Sequence, residues 1–133
     1  MSDYSQFIQE NIYANFESGN VEGVMAVLDE NIRWTHHGSR DLIPFAGEWN
    51  GHAGVGEFFG AFLGGTEPVF VNVKGIVAQG DTVVVLINES YTVKATGKTY
   101  VTDVAHIWKV ANDKIIAFDE LYDSAAIAEA YKA

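Results

Sequence analysis

Four β-rich runs follow one another at about 68–79, 82–94, 99–110 and 114–122, and only short turn-forming segments part them: Gly80-Asp81, Thr96-Gly97 and Asn112-Asp113. Gly, Asn and Asp accept the positive φ angles of tight hairpin turns. Connections this short can only join antiparallel neighbours, because a parallel crossover needs a dozen or more residues. The second half of the chain is therefore a four-stranded antiparallel meander. Ahead of it, Phe7, Ile8, Ile12 and Phe16 fall at helical spacing within 3–18, and Gly19-Asn20 ends that helix and caps a second one carrying Val21, Val24, Met25 and Leu28. Asn31 to His37 reads as a first strand. Gly38 to Gly51 reads as a long loop, a candidate lid, and Val55, Phe58, Phe59, Phe62 and Leu63 form a further helical stripe. Asp123-Ser124 opens a tail helix running through Tyr131. Helices and one strand before a meander make an α+β arrangement, and 1–133 is expected to be a single domain.

Period-two alternation sorts the strands into faces. On 82–94 one face holds Val83, Val85, Ile87, Glu89 and Tyr91; on 99–110 the matching face holds Tyr100, Thr102, Val104, His106 and Trp108. The first strand contributes Ile32, Trp34 and His36, and the last contributes Ile116, Phe118, Glu120 and Tyr122. The opposite face is also fairly apolar, which leads us to expect a homodimer packed outer sheet face to outer sheet face.

Glu120 is the anomaly in this pattern. An unpaired carboxylate on a buried strand face costs several kcal/mol or takes up a proton. Its presence calls for a polar-lined pocket or a use for a raised pKa. With the aromatic-bearing faces inward, the pocket walls comprise Trp34, His36, Glu89, Tyr91, His106, Trp108, Phe118 and Glu120. Each has a plainer reading beside this one: His106 as a satisfied core group, Glu89 as a strand end in water, Trp34 and Trp108 as packing.

Composition narrows the partners. The chain carries a net charge of −10 and only 8 Lys and Arg, scattered along its length. Neutralising phosphates or an anionic membrane surface needs clustered cations, so neither nucleic acid nor membrane is expected. A small hydrophobic or weakly polar organic ligand suits the charge better. No cysteine is present, hence no disulfide and no thiol nucleophile. Met1-Ser2-Asp3 lacks the basic start of a signal peptide, and the expected location is cytoplasmic.

The order of elements, together with Tyr13-x5-Gly19-Asn20, Ile32-Arg33-Trp34-Thr35-His36, Phe45-Ala46-Gly47-x3-Gly51, Thr96-Gly97-Lys98 and His106-x-Trp108-x4-Asp113-Lys114-Ile115 running into Glu120-Leu121-Tyr122-Asp123, resembles the SnoaL-like branch of the nuclear-transport-factor-2-like superfamily. That branch includes ketosteroid isomerases, polyketide cyclases and limonene epoxide hydrolase. The resemblance implies a cone: a curved, mostly antiparallel sheet wrapped around a pocket closed by N-terminal helices, a cystatin-like α+β barrel. It also implies an acid on the last strand, here Glu120. Tyr13 matches the oxyanion-hole tyrosine of the isomerases, and His106 falls at their second donor. Their base falls near Thr35 or His36, so His36 or Glu120 would have to take the proton. The arginine of the epoxide hydrolase is absent, since Ile87 and Glu89 occupy the corresponding positions.

The expected chemistry is cofactor-independent proton abstraction beside a carbonyl, leading to isomerisation or ring closure. Glu120, with its pKa raised by the apolar wall, is the expected base. Tyr13 and His106 would donate to the enolate oxygen, with His36 and Glu89 orienting substrate or relaying the proton. Trp34, Tyr91, Trp108 and Phe118 would hold the substrate body. The second expectation is non-catalytic binding of a small hydrophobic ligand in the same cavity. His36, His106 and Glu120 also have the composition of a metal triad, but no H-x-H or H-E-x-x-H spacing supports one. No G-x-S-x-G elbow points to a serine hydrolase.

Overall fold

The structure, a computed structural model, describes residues 4–133. The expected start of the first helix at Asp3 lies outside the described residues. The N-terminal helical run is α1 (Ser5–Ile8), a π-helical turn (Gln9–Tyr13) and α2 (Ala14–Ser18). The wider π turn advances the phase so that Ile12 is fully buried and the adjacent Tyr13 also reaches inward. Gly19 closes the run with φ 74°, and the Asn20 side chain accepts from the Gly23 backbone N–H to cap α3 (Val21–Ala26).

Six strands follow: β1 (Leu28–His36), β2 (Gly47–Asn50), β3 (Thr66–Gln79), β4 (Thr82–Val93), β5 (Thr99–Ala111) and β6 (Lys114–Tyr122). They form one sheet in the order β2-β1-β6-β5-β4-β3. Only the β1–β6 pair is parallel. Bulges in β3 between Pro68 and Phe70 and between Val73 and Gly75 sharpen the curvature. The sheet is curved but unclosed, an open cone rather than a sealed barrel. Helix α4 (Gly51–Gly65) packs against β1, and α5 (Ser124–Tyr131), capped by the Asp123 side chain, packs against β5. The meander and its turns lie where the sequence puts them. Asn112 and Asp113 both adopt positive φ, as a twist-matched two-residue turn requires.

Four local expectations are corrected. Leu28 opens β1 rather than extending α3, and it is buried there. The Gly38–Gly51 stretch is not all loop, because Gly47–Asn50 pairs with β1. Leu63 is 51% exposed, off the buried stripe of α4. On β6 a bulge falls between the Val110–Ile115 and Lys109–Ala117 pairs; it turns Ile115 inward and leaves Ile116 outside.

Candidate functional site

Strand register builds the site as two stacked rungs across the inner face of β1, β6 and β5. Trp34, Phe118 and Trp108 are cross-strand partners, and so are His36, Glu120 and His106 in the next rung. The lower rung is a tight aromatic floor: the Phe118 ring lies 4.3 Å from Trp34 and 4.2 Å from Trp108. The upper rung places a carboxylate between two imidazoles. His106 Nε2 is 2.9 Å from Glu120 Oε1, and His36 Nδ1 is 3.3 Å from Oε2 in an ion-pair contact. Phe58 of α4 stacks on the His36 ring at 4.2 Å and fixes its plane.

Tyr13 enters from the π turn and locks the His106 side. Trp108 Nε1 donates to the Tyr13 hydroxyl at 3.0 Å, and that hydroxyl lies 2.6 Å from His106 Nδ1. With neutral His106 donating from Nε2 to Glu120, Nδ1 accepts the Tyr13 O–H. The chain Trp108–Tyr13–His106–Glu120 is thereby complete, and both His106 nitrogens are taken. In that tautomer neither Tyr13 nor His106 has a proton to spare for an enolate oxygen, the role expected of both. His36 differs. Neither of its ring nitrogens makes a hydrogen bond among the described residues, and the same holds for Trp34 Nε1 and the Tyr122 hydroxyl.

The electrostatics divide the two inner carboxyls. Burial pushes Glu120 up, but the imidazoles of His36 and His106, one against each carboxylate oxygen, outweigh it and hold Glu120 below the usual carboxylate range. The expected upward shift of Glu120 is thus reversed, because the strand places an imidazole on each side of it. Glu89 takes the shift instead: burial, reinforced by the charge of Glu120, pushes it up to about 9. Glu89 is only 7% exposed, not a strand end in water. Tyr91 is half-buried beside Phe62 and Tyr100, its ring 5.0 Å from Phe62. Burial also raises the Tyr13, Tyr91, Tyr100 and Tyr122 phenols. Among the described residues no group of three His, Asp or Glu side chains is set to hold a metal ion.

A family model described as a SnoaL-like domain matches residues 10–118. The chain belongs to the SnoaL-like family. An NTF2-like protein from Burkholderia xenovorans shares 27% identity over 99% of both chains, with a TM-score of 0.85. An NTF2-like protein of unknown function from Burkholderia pseudomallei shares 25% over the full length of both, with a TM-score of 0.88. TerC, co-crystallised with polyporic acid, shares 26% over 88% of this chain and 89% of its own, with a TM-score of 0.73. No curated protein matches the chain.

In this SnoaL-like domain the structure brings together Trp34, His36, His106, Trp108, Phe118, Glu120 and Tyr13. Glu89 and Tyr91 lie toward the other end of the same inner face, separated from the Glu120 rung by Ile87, Val104 and Tyr122. Sequence reasoning missed Phe58 and Phe45 as site walls. Phe45 is buried against His36, Phe58, Phe62, Tyr122 and Tyr131. The apolar stripe of α4 was the signal for Phe58; nothing in the loop composition signalled Phe45.

Proposed function

We propose that this SnoaL-like protein binds a small, apolar-bodied carbonyl compound in its cone and moves a proton beside the carbonyl, as an isomerase or cyclase does. One observation carries the reading. His36 is buried, has no hydrogen bond to either ring nitrogen, and stands against an ionised Glu120. Its Nε2 is the atom free to take a proton, and Glu120 at Nδ1 stabilises the imidazolium that results. The Trp108–Tyr13–His106 chain supports this from behind by fixing the other Glu120 oxygen. The base is then His36, with Glu120 as its partner rather than the proton acceptor itself. No step of this chemistry requires a cofactor. The co-crystallisation of TerC with polyporic acid supports uptake of small organic molecules by cones of this kind.

The test is exchange of α-protons of cyclohexanone into deuterated water, followed by proton NMR. We expect catalysis by the wild type and a loss of about 10²-fold or more in His36→Gln and Glu120→Gln. Equal rates in wild type and His36→Gln overturn the proton-transfer role. A second reading, binding without turnover, is favoured by the tight packing of the narrow end, where the His36 and Phe58 rings lie only 4.2 Å apart. It predicts saturable ketone binding with no exchange in any variant.

We also infer that two copies meet through the outer sheet face. Leu86, Val101 and Leu121 point outward there and are 44–54% exposed. Leu86 and Leu121 line a groove of about 390 Å³ that also carries Lys74 and Asp103. Burying this apolar surface in a self-complementary contact removes it from water.

A further inference from the structure

We propose that Glu89 is the group that receives the carbonyl oxygen of the ligand, and that the ligand enters past Val71 and Val73 on the edge strand β3. This rests on the reading that the cone takes up a carbonyl compound. It places the oxygen-binding donor on β4, away from the isomerase donor positions at Tyr13 and His106.

Two independent observations support it. The first is that Glu89 is nine-tenths buried and makes no hydrogen bond to another described residue, while its carboxyl oxygens are not among the fully enclosed unpartnered atoms and so stay within reach of a ligand. Its cross-strand neighbour Thr102 does not donate to it. The Thr102 hydroxyl already donates to the Asp103 carbonyl at 2.9 Å and accepts from the Asp123 backbone N–H at 2.9 Å. Buried carboxyls without a partner are costly, and a ligand oxygen would satisfy this one. The second observation is an apolar lip. Register pairs Val71 with Glu89 and Val73 with Ile87, so both valines share the inner face, yet they are 47% and 49% exposed. Inner-face residues elsewhere on β4, such as Val83, Val85 and Ile87, are buried. The inner face is therefore solvent-exposed and apolar at the β3 edge beside Glu89, as entry of an apolar body requires.

Burial and the nearby Glu120 charge keep Glu89 protonated at neutral pH, so its O–H is a donor. The step balances without a co-reactant. His36 Nε2 takes the proton as the α C–H bond breaks, its electron pair forms the new C=C bond, and the carbonyl π pair moves to oxygen. That oxygen is held by the Glu89 O–H. The His36 imidazolium then returns the proton to the same carbon or to a conjugated one, and both groups are restored.

The experiment uses 2-cyclohexen-1-one labelled with carbon-13 at the carbonyl, titrated against the intact protein. A donor at the oxygen moves the carbonyl resonance downfield. We expect this shift in the wild type, its reduction in Glu89→Gln and its absence in Glu89→Leu. The wild type also supplies a measurement that needs no variant: the shift should vanish as pH rises through about 9, where Glu89 ionises. The other titratable groups coupled to Glu89 do not share that window. Glu120 is ionised well below it, and Tyr13, Tyr91 and Tyr100 are all raised above their ordinary value. Placing a bulky Trp at Val71 should slow ketone binding without changing the shift at saturation. The His36→Gln variant separates the two claims, because it should lose α-proton exchange yet keep the carbonyl shift. A wild-type shift that persists in Glu89→Leu and across pH 9, or no shift up to the solubility of the enone, overturns the assignment of Glu89. Loss of exchange in all proteins with a Glu89-dependent shift overturns proton transfer and leaves the oxygen site standing.

Discussion

At the scale of single residues, one strand face carries two carboxyls whose surroundings drive them in opposite directions. Glu120 is flanked by two imidazoles and stays ionised, while Glu89 faces apolar and phenolic neighbours and keeps its proton. Their effects on stability differ in sign. The Glu89 pKa is raised in the folded protein from an ordinary value of 4.5 to about 9. Between those pH values the unfolded chain has released this proton and the native one has not. Unfolding therefore becomes easier as pH rises, by at most about 1.4 kcal/mol per pH unit. We expect Glu89→Gln to escape this loss, so its stability advantage over wild type should grow steadily from pH 5 to pH 9 in urea denaturation. A constant difference across that range would show that Glu89 is solvated. The Glu120 contribution has the reverse dependence: it is present above the ordinary carboxylate pKa and is lost as pH falls below it. Period two was enough to place His36, Glu120 and His106 side by side. It could not reveal the charge states, which depend on which oxygen each imidazole reaches. Nor could it show Glu89 buried rather than wet, because that depends on how the sheet curves.

Elements were legible wherever one residue period held from end to end. The meander of β3 to β6 and its turns follow directly from alternation and turn chemistry, and so do the caps at Asn20 and Asp123. Departures occur where the period slips. In the N-terminal run the π turn lets Ile12 and Tyr13 both face the sheet, which a uniform helix period does not foresee. In β6 the bulge beside Ile116 reverses the facing of the residues before it, so simple alternation assigns Ile116 to the inside and Ile115 to the outside. The structure reverses both, and the two isoleucines make a matched test within one element. Ile115 is fully buried and Ile116 is 36% exposed. We expect Ile115→Ala to cost about 2–5 kcal/mol, as cavity-forming changes do, and Ile116→Ala to cost roughly 1 kcal/mol or less. Urea midpoints of the two variants decide it. Equal losses would mean that the bulge is absent and the strand alternates without interruption.

At the scale of the whole molecule, the sheet has one face spent on the core and another that a lone copy leaves in water. Among the described residues, Leu86, Val101 and Leu121 lie exposed on the outer face, and the long edge strand β3 adds Phe70 and Val77. Register confirms the side: Phe70 pairs with Ser90 and Val77 with Val84, on the face opposite Glu89 and Val85. Exposed apolar surface of this extent invites association unless something covers it. The acidity of the chain sharpens the question, since a net charge of −10 opposes association of like copies. In the proposed dimer, apolar contact must outweigh that repulsion. Salt screens the repulsion and leaves the apolar contact intact, so raising ionic strength should strengthen the dimer. We expect light scattering after size exclusion to give twice the chain mass of 14.6 kDa, more completely at 0.5 M salt than at 0.05 M. Val101→Glu puts a buried charge at the contact in each copy and should yield monomer at both salt concentrations. His36, Glu120 and Glu89 lie on the other face, so the monomer should still take up the enone with its carbonyl shift intact. A Val101→Glu protein that remains dimeric would place the contact elsewhere. A monomer that lost the shift would show that the partner copy helps hold the curvature on which the inner site depends.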